Sequence, residues 1–251
     1  MLETLVAGLL VLQDEAAPLG LQVNWRKTKV QHVGEPRLTQ SMVQVATENV
    51  DLVDKFIYLG SLISHDGGSE AEILRRIGIS RECFSLLEKN IWRFHILTDT
   101  KVHLYRTYIL PVLLYGCETW TISKTLAKCL DAFDTWCLRK ILRIPYTRHT
   151  TNDTVRSITG CLPVSEKVKS FRLRFFGHLA RSAPEEDHHP VIGAALRPPS
   201  DWRRPVGRPR STWLTAIDED VQPQNFGVHT AWRKAKDRDA WHQVVSAATL
   251  C

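Results

Sequence analysis

The chain lacks the sequence features that mark several common classes of protein. Its six cysteines include no Cys-x-x-Cys pair, so the sequence predicts reduced core thiols rather than a zinc site or a disulfide framework. No uncharged stretch approaches the roughly 20 residues that a membrane-spanning helix needs. The first residues are acidic where a secretory signal is basic. We therefore expect an intracellular protein, nuclear or cytoplasmic, without a membrane partner.

Motifs for common catalytic machinery are also missing. The sequence contains no recognisable Ser/His/Asp arrangement and no glycine-rich loop of the kind that cradles phosphate. The acidic clusters at 185–187 and 218–220 are typical of solvated surface, and Cys161 and His178 are too isolated for a zinc knuckle. The residues themselves therefore predict no catalytic group, no metal ligand and no cofactor.

What is present is the composition of a folded, mildly basic protein. The 251 residues are 43% hydrophobic and 24% charged, which is ordinary for a globular chain. The 33 Lys and Arg residues exceed the 27 Asp and Glu residues and leave a net charge of +6. This balance favours polyanionic partners without requiring them.

Apolar periodicity predicts a small sheet followed by helices. Leucines at helical spacing predict a helix over 2–17, and alternation predicts strands at 21–25, 42–46 and 55–63. Later helices are expected at these places: 69–87, from 99 onward, 123–143 and 164–181. The predicted fold is mainly α with a small N-terminal antiparallel β-sheet, an α+β class. In the helix over 164–181 we expect these side chains to be buried: Val168, Phe171, Phe175 and Leu179.

The chain is expected to consist of four segments. The sheet occupies residues 1–68, and a helical region covers 69–183. Six prolines crowd into the Pro/Arg-rich stretch 184–210 without a periodic apolar pattern, which predicts a linker. A small helical tail containing tryptophan follows at 211–251.

Several blocks resemble the reverse transcriptase, or endonuclease-reverse transcriptase, of LINE-type (non-LTR) retrotransposons. Residues 20–29 read Gly-Leu-Gln-Val-Asn-Trp-Arg-Lys-Thr-Lys, and residues 56–63 read Phe-Ile-Tyr-Leu-Gly-Ser-Leu-Ile, like two late palm motifs of these RNA-directed DNA polymerases. The resemblance continues through 105–120, through Phe-Gly-His-Leu-Ala-Arg at 176–181, and through the tail block at 230–241. It therefore covers most of the chain. It implies a remnant of the palm over the first segment and a helical, thumb-like bundle over the second.

The resemblance also implies a missing catalytic centre. In such polymerases the two palm motifs follow an aromatic-x-Asp-Asp turn whose carboxylates help to hold two metal ions. No two adjacent Asp residues occur in this sequence, and the chain is expected to begin after that turn. We therefore expect a truncated, catalytically inactive protein. Magnesium is expected only for the full-length parent enzyme.

Two groups of candidate binding residues lie in the palm-like segment. The basic cluster Arg26, Lys27 and Lys29 can present cations from a strand to phosphate. By resemblance, Lys27 lies where polymerases place a lysine near the departing pyrophosphate, and Tyr58 and Gly60 belong to a hairpin that grips the primer strand. The alternatives are a solvated strand face for the cations and a buried strand with a bend at the glycine. We favour a solvated face over a catalytic role for Lys27, while phosphate contact by the three cations stays plausible.

A third candidate lies in the Pro/Arg-rich stretch. Between residues 197 and 210 there are five arginines against one aspartate, and Gly-Arg-Pro-Arg resembles the core of an AT-hook, which enters the minor groove of A·T tracts. We favour generic phosphate attraction over minor-groove reading. The candidate nucleic-acid contacts here are Arg203, Arg204, Arg208 and Arg210.

The sequence supports two functional hypotheses. One is weak, salt-sensitive binding of RNA or DNA, helped by basic residues in the helical region such as Arg75, Arg76, Lys101 and Arg106. The rival is a protein-interaction fragment, or a non-functional one, left by a decayed or domesticated element. Such a fragment could self-associate through apolar surface.

Overall fold

The computed structural model describes residues 2–34, 42–45, 48–145, 147–197, 200, 203 and 211–249. The chain divides into two compact units, residues 1–72 and 73–251. The described residues are mainly helical, with short strands confined to the first unit. The predicted fold class, mainly α with a small N-terminal sheet, is confirmed.

The N-terminal unit combines one helix with two small sheets. Strand β3 lies between β1 and β2, antiparallel to β2 and parallel to β1, while β4 and β5 form an antiparallel hairpin. The parallel pairing departs from the antiparallel sheet that we predicted. The elements are α1 (Leu2–Ala16), β1 (Lys29–Val30), β2 (Met42–Val45), β3 (Glu48–Leu52), β4 (Lys55–Tyr58) and β5 (Ser61–Ser64).

The core of this unit lies where α1 covers the three-stranded sheet. Val43 and Val45 of β2 are buried while Met42 is half exposed, as the two-residue period of a strand requires. These valines, with Val30 and Val50, pack against leucines of α1 that include Leu9. The helix contributes no fully buried side chain, because the sheet is too small to cover it.

The strand predicted at 21–25 is wrong. Leu21 is 62% exposed, and residues 25–27 form a turn instead. Asn24 explains the difference, because its carbonyl accepts the N–H of Lys27 at 3.0 Å and that of Thr28 at 2.9 Å. Its side-chain oxygen also accepts the Lys27 N–H at 3.2 Å. Asparagine often closes such turns, and here the turn replaces pairing with a neighbouring strand.

The C-terminal unit is built from helices. Helix α2 begins at Glu70, close to the division between the units, and the rest of the unit follows in chain order. Five-residue π-helical turns lie at Glu88–Trp92 and Tyr105–Ile109. The helices are α2 (Glu70–Leu86), α3 (Thr98–Leu104), α4 (Leu110–Leu113), α5 (Lys124–Ile141), α6 (Asn152–Thr159), α7 (Val164–Arg181), α8 (His188–Leu196), α9 (Trp213–Val221), α10 (Val228–Lys234) and α11 (Arg238–Thr249).

Local signals fix several helix ends. The Ser123 hydroxyl accepts the N–H of Leu126 at 3.3 Å and starts α5, and Thr151 caps α6 in the same way. Gly160 ends α6 with a φ of 59°, a left-handed conformation that suits glycine. The helix predicted over 164–181 is confirmed as α7. Helix α8 lies inside the stretch 184–210, where we predicted no regular element.

One core of the C-terminal unit gathers around Tyr105. Its hydroxyl donates to Asp134 Oδ1 at 2.6 Å, and Arg156 Nη1 lies 2.8 Å from Asp134 Oδ2. Burial raises the pKa of the Asp134 carboxyl, while the hydrogen bond from Tyr105 and the charge of Arg156 oppose that rise. This network links the π-helical turn to α5 and α6 inside an apolar core.

A second core gathers around Phe176 of α7. Three tryptophans, Trp213, Trp232 and Trp241, place their ring centroids 5.4 to 6.0 Å from its ring. Gly177 makes this possible, because a Cβ there would lie 2.3 Å from the indole of Trp241. The two sequence blocks at 176–181 and 230–241 therefore pack against each other.

The inner face of α7 differs from the one we predicted. Phe171 is 42% exposed, and Phe175 and Leu179 are only half-buried; Leu173 and Phe176 lie in the core instead. Of the predicted stripe, Val168 alone is fully buried. The apolar residues of α7 lie on more than one face, and the distant tryptophans decide which face is covered.

Candidate nucleic-acid interface

The turn at Asn24 presents two of the predicted cations to solvent. Arg26 and Lys27 are both exposed, and no carboxylate among the described residues lies within ion-pair distance of either. Lys29 differs, since its ammonium pairs with Asp51 at 2.5 Å across the parallel register of β1 and β3. The arrangement leaves Arg26 and Lys27 available to a phosphate, while Lys29 is engaged within the sheet.

The predicted hairpin carries Tyr58 and Gly60 at its tip. Tyr58 pairs with Ser61 across a two-residue turn, and both turn residues have positive φ, 47° at Leu59 and 82° at Gly60. This is the I′ geometry that matches the twist of a hairpin. Gly60 adopts it without strain, whereas Leu59 does so at a steric cost. Tyr58 is 59% exposed, so its ring is accessible on the outside of the hairpin.

A bridging glutamine holds the hairpin to the strand that follows the Asn24 turn. Gln31 donates from Nε2 to the carbonyls of Asp54 and Ile63, both at 3.0 Å. The N–H of Gly34 also reaches the carbonyl of His65 at 2.9 Å. The two groups of predicted contacts therefore belong to one hydrogen-bonded scaffold.

The third predicted group is described only in part. Arg203 is exposed, and Arg204, Arg208 and Arg210 lie outside the residues that the structure describes.

Many other cations of the C-terminal unit contact backbone carbonyls. Lys101 is 3% exposed and donates from Nζ to the carbonyls of Trp92 at 2.9 Å and Phe94 at 2.8 Å. Burial lowers the pKa of this lysine, and the nearby charge of Arg143 adds to the effect. The same role is shared by Arg106, Arg139, Arg143, Arg172 and Arg181. Sequence reasoning assigned both Lys101 and Arg106 to nucleic-acid binding, but Lys101 is buried, and the exposed Arg106 donates to the carbonyls of Thr159 and Gly160.

A groove of about 680 Å³ lies between α2 and α5, and its cations have partners. Arg93 and Lys140 lie 3.0 and 3.6 Å from the carboxylate of Glu88, whose pKa the hydrogen bond from Arg93 lowers. Arg143 donates to the carbonyl of Phe94, and Arg139 to the side chain of Asn152. Glu88 offsets one of these charges, and hydrogen bonds hold the remaining cations within the fold.

A smaller cleft of about 470 Å³ lies between α8 and α10, and three cations line it. Within the described parts of the chain, no carboxylate pairs with its three cations, Arg197, Arg233 and Lys236. Sequence reasoning missed this cleft because α8 lies in the stretch that we predicted to be a linker. The remaining lining residues are Gly193, Leu196, His229 and Trp232.

A serine, a histidine and a glutamate also align at the end of α7. The Ser182 hydroxyl contacts His188 Nε2, and His188 Nδ1 lies 3.6 Å from Glu186. However, Ser182 donates its only hydroxyl proton to the carbonyl of Leu179 at 2.8 Å. The histidine must then be the donor to Ser182, so it cannot act as the base that activates a nucleophile. We interpret the group as a cap of α7.

Metal-binding and membrane-spanning features are absent from the described residues. No group of three His, Cys, Asp or Glu side chains there is arranged to hold a metal ion. No helix in the same residues is both long and apolar enough to cross a membrane.

Comparison with known proteins relates the chain to a transposon-derived protein. It is 27% identical over 249 residues to an uncharacterized transposon-derived protein of Caenorhabditis elegans. The match covers 95% of this chain and 87% of the worm protein. No protein-family model and no solved structure matches the chain. The protein is thus related to a transposable element.

Proposed function

We propose that this chain is the C-terminal part of a LINE-type reverse transcriptase and binds RNA or DNA without copying it. The blocks at 20–29 and 56–63 support the reverse-transcriptase origin, and a transposon-derived relative over 95% of the chain agrees with it. Binding is weak and salt-sensitive, because it depends on a few exposed cations rather than on a deep site.

The Asn24 turn is the observation that carries this proposal. Its backbone hydrogen bonds hold Arg26 and Lys27 outward without an acidic partner among the described residues, on the scaffold that also bears Tyr58. Exposed cations on a fixed turn can contact consecutive phosphates, and a neighbouring tyrosine ring can contact a base or a sugar. The contact is independent of sequence, because phosphates are the same along any strand.

Catalysis is not part of the proposal. Phosphoryl transfer to a growing strand requires carboxylates that hold two metal ions, and the sequence contains no adjacent aspartates. With primer, template, nucleotides and Mg²⁺, we expect the purified chain to give no extended product. A templated extension product would overturn this part of the proposal.

Binding is tested by fluorescence anisotropy with labelled RNA and DNA strands in a salt series. A variant carrying Arg26→Gln and Lys27→Gln is expected to lose affinity and to flatten the slope of log K against log salt by about 0.7 to 0.9 for each lost phosphate contact. The matched control carries Lys124→Gln and Lys128→Gln, which removes two charges from exposed positions of α5. Equal losses of affinity in the two variants, or an affinity that does not change with salt concentration, would refute binding through Arg26 and Lys27.

Self-association is a second candidate, favoured by the apolar surface of the N-terminal unit. Val11 and Leu12 of α1 are 60% and 56% exposed, and Leu19 and Leu21 are exposed further still. Neighbouring exposed apolar side chains of this kind are typical of an interaction surface. Light scattering after size exclusion would show a dimer that Val11→Glu and Leu12→Glu convert to a monomer. A monomeric wild-type chain would exclude this candidate.

A further inference from the structure

The cleft between α8 and α10 presents one face of a short helix. His229, Trp232, Arg233 and Lys236 recur at spacings of three and four residues, so they share one side of α10 and the turn that follows it. Ala231 and Ala235 face the other way into the second core. Arg197, at the end of α8, lines the same cleft.

Within the described residues, no acidic side chain pairs with the charges of this cleft. Neither Arg197 nor Lys236 makes a side-chain hydrogen bond to another described residue, and Arg233 makes only a long one of 3.4 Å to Thr230. Three like charges that line one small volume repel each other, and folding gains nothing from that arrangement. The α2–α5 groove provides the contrast, since its four cations contact Glu88, Asn152 or backbone carbonyls.

Trp232 adds a flat apolar wall to the cleft. Its ring meets Phe176 edge to face at 5.4 Å and His189 at 5.7 Å. Its indole N–H has no hydrogen-bond partner among the described residues, unlike that of Trp241, which donates to the carbonyl of Leu173 at 2.8 Å. A volume of about 470 Å³ exceeds the needs of a bare phosphate and accommodates a phosphate with its sugar.

We infer that the α8–α10 cleft binds a backbone phosphate of a nucleic-acid strand through Arg197, Arg233 and Lys236. The inference rests on the proposed function and assigns it a second contact. Arg197 lies six residues before Arg203, so the Arg-rich stretch begins within about 20 Å of the cleft along an extended chain.

The first test compares two adjacent positions of α10. Arg233→Gln removes a charge from the cleft, while Lys234→Gln removes the same charge from a side chain that lies over the ring of Phe226, 4.3 Å from its centroid. In the anisotropy assay we expect Arg233→Gln to weaken binding by about three- to tenfold and to flatten the salt slope by about 0.7 to 0.9. The expected loss for Lys234→Gln is less than about twofold. Equal losses would overturn the inference.

The second test identifies the source of the phosphate. The indole N–H signal of Trp232, assigned with Trp232→Phe, is followed by NMR during titration with a short oligonucleotide or with inorganic phosphate. We expect the oligonucleotide to shift the signal at micromolar concentration and inorganic phosphate to shift it only at far higher concentration. A response to inorganic phosphate alone would make the cleft a site for a small anion, and an unmoved signal would leave it without a ligand. Either result overturns the inference.

The two proposals fail in different ways. If Arg26→Gln with Lys27→Gln weakens binding while Arg233→Gln matches its control, the function stands and the cleft is excluded. If no nucleic acid binds to the wild-type chain, the proposed function fails, and a Trp232 signal that moves with inorganic phosphate then assigns the cleft to another anion.

Discussion

Replacing Gly177 by alanine should destabilise the protein, although alanine is the better helix former. The added Cβ would lie 2.3 Å from Trp241 Cδ1, 2.4 Å from its Nε1 and 2.9 Å from Arg181 Nη1. Ordinary contacts between carbon atoms are about 3.5 to 4.0 Å. The indole must therefore move by more than about 1 Å, in a core where Trp241 is 3% exposed.

The expected loss combines three effects. Forcing an extra methyl group into a packed core costs about 1 to 3 kcal/mol. Moving the indole also breaks its hydrogen bond to the carbonyl of Leu173, which costs about 1 kcal/mol. Alanine recovers about 1 kcal/mol of helix propensity. The net loss in the free energy of unfolding is therefore about 1 to 3 kcal/mol.

Gly78 is the matched control. It lies in α2, is exposed, and a Cβ added there would have no atom within 4 Å. Gly78→Ala should raise the free energy of unfolding by about 0.5 to 1 kcal/mol, because propensity acts there alone. Urea unfolding followed by circular dichroism measures both variants. If Gly177→Ala is as stable as wild type or more stable, the close packing of Trp241 on α7 does not require a glycine at position 177.

Two other predictions concern buried groups. Arg172→Met should cost about 3 to 5 kcal/mol, because it leaves the Asp220 carboxylate buried without its partner at 2.7 Å. Burial raises the pKa of Asp220, so the folded chain binds a proton at this carboxyl more tightly than the unfolded chain does. In urea unfolding, the free energy that Arg172→Met loses should therefore be smaller near about pH 5 than near about pH 8. An equal loss at the two pH values would contradict this reasoning. Burial also raises the pKa of the Cys117 thiol to about 12, so peptide mapping after brief alkylation should find exposed Cys129 modified and Cys117 intact. Equal labelling of the two would show that Cys117 is not protected.

Helices were predictable where local signals agree with each other. Helix α7 has the predicted bounds of 164 and 181, and α5 begins after Ser123, the residue that caps it. The tail shows the limit of this reasoning, because it was predicted only as helical and the segment 228–249 is not one continuous helix. Asp237 divides it, because its carboxylate accepts the N–H groups of Asp239 and Ala240 and starts a new helix.

Burial and charge pairing were harder to predict because they depend on distant residues. The exposure of Phe171 and the burial of Phe176 follow from tryptophans that lie dozens of residues away. Lys29 resembles Lys27 in sequence, yet it pairs with Asp51 through a parallel register that no local pattern indicates. Arg26, by contrast, is exposed, as both phosphate contact and a solvated face require.

The cleft between α8 and α10 could not be predicted for the same reason. Arg233 and Lys236 belong to a tail block that resembles LINE-type elements, and Arg197 begins the basic stretch. Nothing in the sequence indicates that these cations line one cavity. Their convergence requires α8, which forms in a proline-rich stretch without apolar periodicity.

The cations that cap backbone carbonyls have a consequence for how copies of such an element decay. Mutation at Lys101 removes a donor from the buried contact with the Trp92 carbonyl and so damages folding, whereas mutation at Arg26 changes only the outer surface. In copies that keep a folded product while their surface drifts, the inner basic positions should outlast the outer ones. Counting Lys and Arg codons in a drifting copy would then overstate the positive charge that its surface still presents.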